Sequence, residues 1–269
     1  MMLSDPADCR IGNGFCRRHI AGPMLQIFSL ELAEIHMDGG SLELYGYVAV
    51  RDDLDPLLNY VVNISRDDPI IVEQGSLITM TGPKRGIEMS APILIEYDMR
   101  IKAKEHEKDD LQLIDGVSII GDIGGWNEPR TMRIPGDCGV IDINFSRVNY
   151  AVEATLEVLV SEVQSRFSLS LCCLASGLDE EIRVFDGDIS ESRGLKRSVV
   201  AVVRNSLMEL KFKVGTLLSI SDQYRCCFKA RTHGHDIQYI KTNFSLISVK
   251  VTWSTLPHCF PGPTHYELS

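Results

Sequence analysis

The sequence predicts an all-β protein made of two tandem repeats of a β-rich unit, packed as sandwiches or as one large double sheet. Three observations predict this class: apolar residues alternate with polar ones, Asp/Gly turn signals separate these segments, and similar segments recur about 112 residues apart. The chain has 269 residues, of which 44% are hydrophobic and 24% charged. This length is enough for two globular units, and the composition excludes a disordered or collagen-like protein.

Alternation with a period of two is clearest in three segments, 93–101, 208–214 and 247–253. Each segment places apolar side chains on one face and polar side chains on the other, which is typical of a half-buried strand. The residues expected in the core are Tyr97, Met99, Leu210, Phe212, Val251 and Trp253. Those expected to face water are Glu96, Lys211, Lys213 and Lys250.

Five segments of the first part of the chain match five segments of the second part in the same order. The matches are Leu30, Leu32 and Ile35 with Ile143, Phe145 and Val148; Leu44 and Val48 with Leu156 and Val160; 70–75 with 182–187; 82–85 with 194–197; and 95–101 with 208–214. Matches that keep their order indicate an internal duplication of the β-rich unit.

Composition divides the chain into five segments. We expect a flexible N-terminal segment at 1–23, a first repeat at 24–103, a connector with some strand at 104–136, a second repeat with extra C-terminal strands at 137–253, and a flexible tail at 254–269. The charged run at 105–110 and the pair Gly124-Gly125 mark the connector, and three prolines mark the tail.

Charge and cysteine usage indicate the compartment and exclude some partners. The net charge is −10, which opposes general binding to nucleic acid or anionic lipid. No apolar stretch is long enough to span a membrane, and the N-terminus lacks the apolar core of a secretory signal. The eight cysteines include two adjacent pairs in apolar runs, as buried thiols do in a reducing compartment. We therefore expect a cytoplasmic location, with the nucleus or an organelle as alternatives.

Several ordered motifs resemble a grass-centred family of plant domains of unknown function. They are 44–52, 66–69, 82–86, 95–102, 109–116, 136–139, 151–155 and 249–253, and the resemblance runs from about residue 25 to residue 253. Members of this family occur alone and in chains with a ribosome-inactivating domain, similar to cereal jasmonate-induced proteins. The resemblance implies a plant protein tied to stress or defence, translation arrest or cell killing, and it carries no catalytic residues over.

The resemblance implies that an rRNA N-glycosylase site needs a Glu and an Arg one helical turn apart. The nearest match in this sequence is the pair Glu162 and Arg166. These two residues are four positions apart and lie between two alternating segments, 152–160 and 167–173. We expect them in an exposed turn, where a carboxylate is not held in a dry, preorganised site. Catalysis by this pair is therefore kept as an alternative, and the enzyme prediction leans to no.

Two groups of residues offer metal ligands without a convincing spacing. Cys226, Cys227, His233 and His235 do not match a closed zinc pattern, because adjacent cysteines in a strand point to opposite faces. One predicted strand separates two acidic groups, Asp52, Asp53 and Asp55 on one side and Asp67 and Asp68 on the other. At roughly 3.3 Å per residue, this strand is about 26 Å long, so the two groups lie at its opposite ends. Asx-type turns explain these acidic residues better than calcium does. We predict no metal and no cofactor.

Two basic pairs occupy matching places in the two repeats: Lys84-Arg85 and Lys196-Arg197. They are the candidate binding residues, because two Gly-led basic turns can grip an anion. The alternative is that these residues are charged because hairpin tips are wet.

The expected function is a non-catalytic protein-interaction module, with another protein as its main partner and the ribosome as a further one. Two alternatives stay open: an rRNA N-glycosylase-type toxin, and a module that binds a small molecule or a carbohydrate between its sheets.

Overall fold

The computed structural model describes residues 9, 11–12, 15–16, 18–37, 40–121, 124–175, 177–178, 180–215 and 222–257. It confirms the all-β prediction, with antiparallel sheets throughout and one short 3-10 turn at Glu107–Asp109. Within these described ranges, no helix has the length and apolar character that crossing a membrane requires.

Nineteen strands follow one another along the described part of the chain. The first ten are β1 (Ile11–Gly12), β2 (Phe15–Cys16), β3 (Gly22–Ile35), β4 (Ser41–Asp52), β5 (Asp55–Ile64), β6 (Ile70–Glu73), β7 (Ile87–Glu88), β8 (Ile93–Ile101), β9 (Leu111–Ile120) and β10 (Arg130–Pro135). The other nine are β11 (Gly139–Ser161), β12 (Phe167–Ala175), β13 (Glu181–Ile189), β14 (Arg193–Gly194), β15 (Ser198–Val203), β16 (Leu207–Gly215), β17 (Asp222–Lys229), β18 (Gly234–Lys241) and β19 (Leu246–Ser254).

Strand β11 is shared by two sandwiches and is 23 residues long. Its N-terminal part pairs with β3 and β10, and its C-terminal part pairs with β14, β15 and β19. An outer sheet in the order β5-β4-β8-β9 completes the first sandwich, and an outer sheet in the order β13-β12-β16-β17 completes the second. The main sheet that contains β11 therefore joins the two halves through one continuous backbone.

The two halves have the same strand order. In the main sheet, β10-β11-β3-β7 of the first half corresponds to β18-β19-β11-β15 of the second. The outer sheets correspond in the same way, so β8 of the first half corresponds to β16 of the second. These two strands contain the matched segments 95–101 and 208–214. The duplication itself stays a prediction, to be tested by superposing the two halves.

Two of the other sequence matches do not join equivalent positions of the two halves: one joins strands that do not correspond, and the other joins two residues of the first half. The residues matched as Leu44 and Leu156 lie in β4 and β11, although β12 is the counterpart of β4. Leu30 and Ile143, also matched, face each other across the β3–β11 pair. These matches arise because period-two alternation is common to every half-buried strand and does not distinguish one strand from another.

Each sandwich has its own apolar core, and alternate residues of β3 contribute to both. Leu25 and Ile27 pack in the first core, whereas Met24 and Phe28 pack in the second. Successive side chains of a strand point to opposite faces, so the two cores lie on opposite faces of β3. The six predicted core residues are all buried, and Lys213 is exposed, with Glu96, Lys211 and Lys250 half-buried on the outer faces.

The predicted connector and termini lie partly in ordered structure. The segment 104–136 contains β9 and β10, which pair with β8 and β11 along most of their length. Residues 1–8 and 258–269, within the segments predicted to be flexible, lie outside the described residues. In the described parts of the same segments, His19 is 2% exposed and Leu256 is 8% exposed.

Candidate binding surface between the two sandwiches

The turn that carries Lys84 is held by side-chain and backbone hydrogen bonds to β5. The N–H groups of Thr81 and Gly82 both donate to the Val61 carbonyl oxygen. The Asn59 side chain accepts from the Lys84 N–H through Oδ1 and donates to the Arg85 carbonyl through Nδ2, both at 2.9 Å. Because Asn59 is buried and satisfied on both sides, the Lys84 backbone is fixed before anything binds.

Arg85 departs from the expectation of an exposed basic tip. Its guanidinium donates to both oxygens of Asp52 at 2.5 Å, and its side chain is 6% exposed. Asp52 also accepts the Glu88 N–H at 2.8 Å, so its role is an ion pair and a backbone contact. Arg85 is therefore unavailable to an external anion. Asp55 does form the predicted Asx turn, since its Oδ1 accepts the Leu57 N–H at 3.0 Å.

A buried carboxylate ties this turn to the second half of the molecule. Glu153 lies in β11 with 0% exposure, and it accepts the Gly86 N–H and the Ser254 hydroxyl. Gln26 adds a second tie, because its Oε1 accepts the Ala201 N–H of β15 at 2.7 Å. These buried bonds fix the relative position of the two basic segments.

The second basic pair lies on a bulge between β14 and β15. Gly194 pairs with Leu159 and Ser198 pairs with Leu156, so three residues on the basic strand oppose two on β11. One extra residue in a strand makes a bulge, which turns the local side chains out of the ladder. Lys196 and Arg197 are consequently exposed.

Three of the four predicted basic residues meet at one surface. Arg197 Nη2 lies 3.5 Å from the Lys84 carbonyl oxygen, at the limit of a hydrogen bond. Burial, and then repulsion by the neighbouring Lys84 ammonium, lower the pKa of Lys196. We call Lys84, Lys196 and Arg197 the basic junction. Its close like charges favour an anionic partner, because an anion relieves their mutual repulsion.

A cavity of about 470 Å³ lies between β3, the segment 77–80, β12 and β13. Its lining includes Phe28, Met80, Cys172, Arg183 and Phe185. A narrow second cleft shares Met80 and Arg183 with it and reaches Pro83 and Ser198, the neighbours of Lys84 and Arg197 in the sequence. Glu181 and Asp186 also line the larger cavity, so apolar and charged side chains contribute to the same pocket.

Glu162 and Arg166 lie in the turn between β11 and β12, as the alternation of the flanking segments predicts. Both are exposed, and Arg166 donates to Asp188 of β13 at 2.6 Å. The aromatic pair beside this turn, Phe167 and Phe244, stacks and packs in the second core. The surroundings of Glu162 and Arg166 are those of a solvated surface turn.

The buried thiols are poorly suited to nucleophilic chemistry. Burial raises the pKa of Cys173 to about 12 and that of Cys226 to about 11. Because the thiolate is the reactive species, these two cysteines are largely inert at neutral pH.

His233 groups with other residues than the sequence suggested. Cys226 is buried and Cys227 is exposed, in agreement with opposite faces of β17. His233 instead lies with Cys9, Cys16 and His19. Sequence reasoning missed this group, although the spacing Cys9, Cys16, His19 is compact enough to have drawn attention.

A family model described as "Domain of unknown function (DUF6598)" matches residues 24–251. The chain belongs to this family. The match covers both sandwiches of the DUF6598 chain, from β3 into β19. No curated protein matches it.

Solved structures similar to the DUF6598 chain share little sequence with it. Human GIVD cytosolic phospholipase A2 in complex with methyl gamma-linolenyl fluorophosphonate is 8% identical, covers 89% of this chain and has a TM-score of 0.27. The match spans 33% of that phospholipase. The tandem C2 domains of Extended-Synaptotagmin 2 are 8% identical, with 95% of this chain and 99% of that chain covered, at a TM-score of 0.30. These values are too low to assign a fold or a function.

Proposed function

We propose that this chain is a non-catalytic protein-interaction module, and that the basic junction receives an acidic segment of a partner protein. The observation that carries the proposal is the convergence of Lys84 with Lys196 and Arg197, from basic pairs about 112 residues apart in the sequence. A polypeptide with neighbouring carboxylates matches three cations spread over a surface.

Preorganisation supports this proposal. Asn59 and Glu153 hold the backbone on both sides of Lys84, and the β11 ladder holds the bulge that carries Arg197. Binding to a surface whose backbone is already ordered loses less conformational entropy than binding to a loop that must be ordered. A partner therefore meets cations in a defined arrangement.

Charge supports a protein partner over nucleic acid. The chain carries a net charge of −10, and the basic junction contributes only three cations. Affinity for a nucleic-acid backbone rises with the number of phosphates neutralised, and a few cations on an acidic protein give weak binding at physiological salt. A short acidic peptide segment needs no larger positive surface.

The resemblance to a grass-centred plant family supplies the proposed setting. We place the chain in plant stress or defence, close to translation arrest or cell killing, because related chains carry ribosome-inactivating domains. A cytoplasmic location fits the buried thiols Cys173 and Cys226. The ribosome is a second partner to test within this setting.

The direct test measures binding of a fluorescent peptide of consecutive glutamates. The variant Lys84→Glu/Lys196→Glu/Arg197→Glu should bind at least about tenfold more weakly, a loss of about 1.4 kcal/mol. The control Lys229→Glu/Lys241→Glu reverses two exposed cations elsewhere and should bind as the natural chain does. Equal affinity of all three proteins contradicts the proposal.

A second test captures partners from grass leaf extract with the immobilised chain, with ribosomes scored separately. The expected partner is retained by the natural chain and by the Lys229/Lys241 control, and is lost from the basic-junction variant and at raised salt. A partner that all three proteins retain contradicts a role for the basic junction.

The toxin alternative is tested by aniline cleavage of RNA from plant ribosomes treated with the purified chain. We expect no specific fragment. A fragment made by the natural chain and lost in Glu162→Ala/Arg166→Ala would overturn the non-catalytic proposal. The exposed turn that carries these residues is the reason for the expectation.

The cavity of about 470 Å³ favours small-molecule binding as a second candidate function. The variant Met80→Trp would place a larger side chain in this cavity and reduce its volume. The control Leu207→Trp places the same side chain at an exposed site elsewhere. If a metabolite extract stabilises the natural chain and the Leu207 variant but not the Met80 variant, this second function gains support.

A further inference from the structure

A group of two cysteines and two histidines joins the N-terminal segment to the second sandwich. Cys16 lies on β2, which pairs with β1 in a short hairpin, and Cys9 precedes that hairpin. His19 follows it, just before β3. His233 lies between β17 and β18, at the other end of the sequence.

The four ligand atoms are close enough to surround one ion. All of them lie within 4.8 Å of one another, and Cys16 Sγ lies 3.2 Å from His19 Nδ1. In a tetrahedral site with Zn–S of about 2.3 Å and Zn–N of about 2.0–2.1 Å, neighbouring ligand atoms are roughly 3.3–3.8 Å apart. Side-chain movements of about 1 Å would complete that geometry.

The donor set selects the metal. Two sulfur and two imidazole ligands in a tetrahedral arrangement are typical of zinc, whereas calcium and magnesium require oxygen ligands. No carboxylate belongs to the group in the part of the chain that the structure describes. His19 is 2% exposed, and the other three residues are half-buried, so the group is partly shielded from water.

We propose that Cys9, Cys16, His19 and His233 bind one Zn²⁺ ion in a structural site. Four protein ligands close the coordination sphere, so the site leaves no position for a substrate. The ion would cross-link the hairpin to the loop before β18, and it would hold the N-terminal segment on the second sandwich. This proposal does not depend on the basic junction.

Metal content and Co²⁺ substitution test the proposal on the full chain, purified without added chelator. We expect about one zinc per chain, and we expect Co²⁺ to give the visible absorption of a tetrahedral site with thiolate ligands. Both signals should be lost in Cys16→Ser and in His233→Asn. Cys227→Ser and His235→Asn, exposed and close in sequence to His233, are the matched controls and should keep both signals.

A structural readout separates loss of metal from loss of fold. The ligands lie outside both apolar cores, so the ligand variants should keep the β-sheet circular dichroism of the natural chain. Removal of zinc should speed tryptic cleavage within residues 1–20 at least about tenfold, because a segment that is no longer held opens more often. Cys16→Ser should show the same faster cleavage. The proposal is overturned if the natural chain holds no more metal than Cys16→Ser, or if a Cys9–Cys16 disulfide is found in the purified protein.

Discussion

The two halves of the molecule use the same four-residue pattern in different ways. In the first half, Gly82-Pro83-Lys84-Arg85 crosses from the outer sheet to the main sheet, and its arginine is buried against Asp52. In the second half, Gly194-Leu195-Lys196-Arg197 lies in the bulge between β14 and β15, opposite β11, and its arginine is exposed.

This difference separates a structural role from a binding role within one pattern. A buried guanidinium needs a partner in the protein, because an unpaired charge away from water is very costly. An exposed guanidinium has no such requirement and is free to meet an external group. The lysine is exposed in both halves, so the proposed binding surface takes its lysines from both and its arginine from the second.

The largest expected effect tests whether the two halves unfold together. Phe212→Ala empties a fully buried position in the second core and should lower the free energy of unfolding by about 3–5 kcal/mol. Trp126 reports on the first half and Trp253 on the second, so Trp126→Phe and Trp253→Phe backgrounds follow each half separately by fluorescence.

Because β11 belongs to both sandwiches, we expect the two reporters to give coincident urea transitions, with and without Phe212→Ala. Transitions that shift only for the Trp253 reporter would show that the halves are independent. A loss below about 1 kcal/mol would mean that the predicted faces of β16 are reversed.

The next effect concerns the two arginines. Arg85→Ala should cost about 3–5 kcal/mol in urea unfolding, because it leaves Asp52 buried without its cation. Arg197→Ala should cost less than about 0.5 kcal/mol, as surface substitutions do. The double variant Asp52→Leu/Arg85→Leu should lower the free energy of unfolding by less than Arg85→Ala does. Equal losses in Arg85→Ala and Arg197→Ala would contradict the different roles of the two arginines.

Substitution of the two glycines of the pattern should also change the free energy of unfolding by different amounts, with a smaller difference than for the two arginines. A Cβ at Gly82 would overlap the carbonyl oxygen of Tyr60, whereas a Cβ at Gly194 meets nothing within 4 Å. Gly82→Ala should therefore cost about 1–3 kcal/mol. Gly194→Ala should be neutral or stabilising by less than about 1 kcal/mol, because it restricts the unfolded chain. Thermal unfolding of the two variants compares them, and a larger loss in Gly194→Ala would contradict this assignment.

The smallest expected effect concerns acid stability. Asp110 accepts from Arg66 at 2.7 Å and from Tyr45 at 2.8 Å, and these bonds hold the pKa of its carboxyl well below the usual range. Burial and the hydrogen bond to Asp110 raise the pKa of Tyr45 to about 12. The stabilisation by Asp110 is complete above the pKa of an unfolded Asp, about 3.9, and is lost as the pH falls towards its folded value.

Asp110→Asn should therefore lower the urea midpoint at pH 7 and flatten its fall below about pH 4. The matched control is Asp188→Asn in the second half, where the carboxylate is exposed and pairs with exposed Arg166. This control should follow the natural chain at every pH, since exposed pairs contribute little. Identical pH profiles for the two variants would contradict a stabilising role of the ionised Asp110 carboxylate.

The sequence by itself determined the strands and their faces. Period-two alternation placed Met99, Phe212 and Trp253 in the core, and it placed Glu162 in a turn, because local burial imposes that period on any half-buried strand. The sequence also identified both basic pairs, through their matching places in the two predicted repeats.

Only the tertiary structure decided which distant residues meet. The pairing of Arg85 with Asp52, the approach of Arg197 to Lys84, and the grouping of Cys9 and Cys16 with His233 all join residues far apart in the chain. Such contacts depend on sheet order, on the register of β11 and on its bulges. Alternating strands resemble one another, so periodicity carries no information about which strand lies beside which.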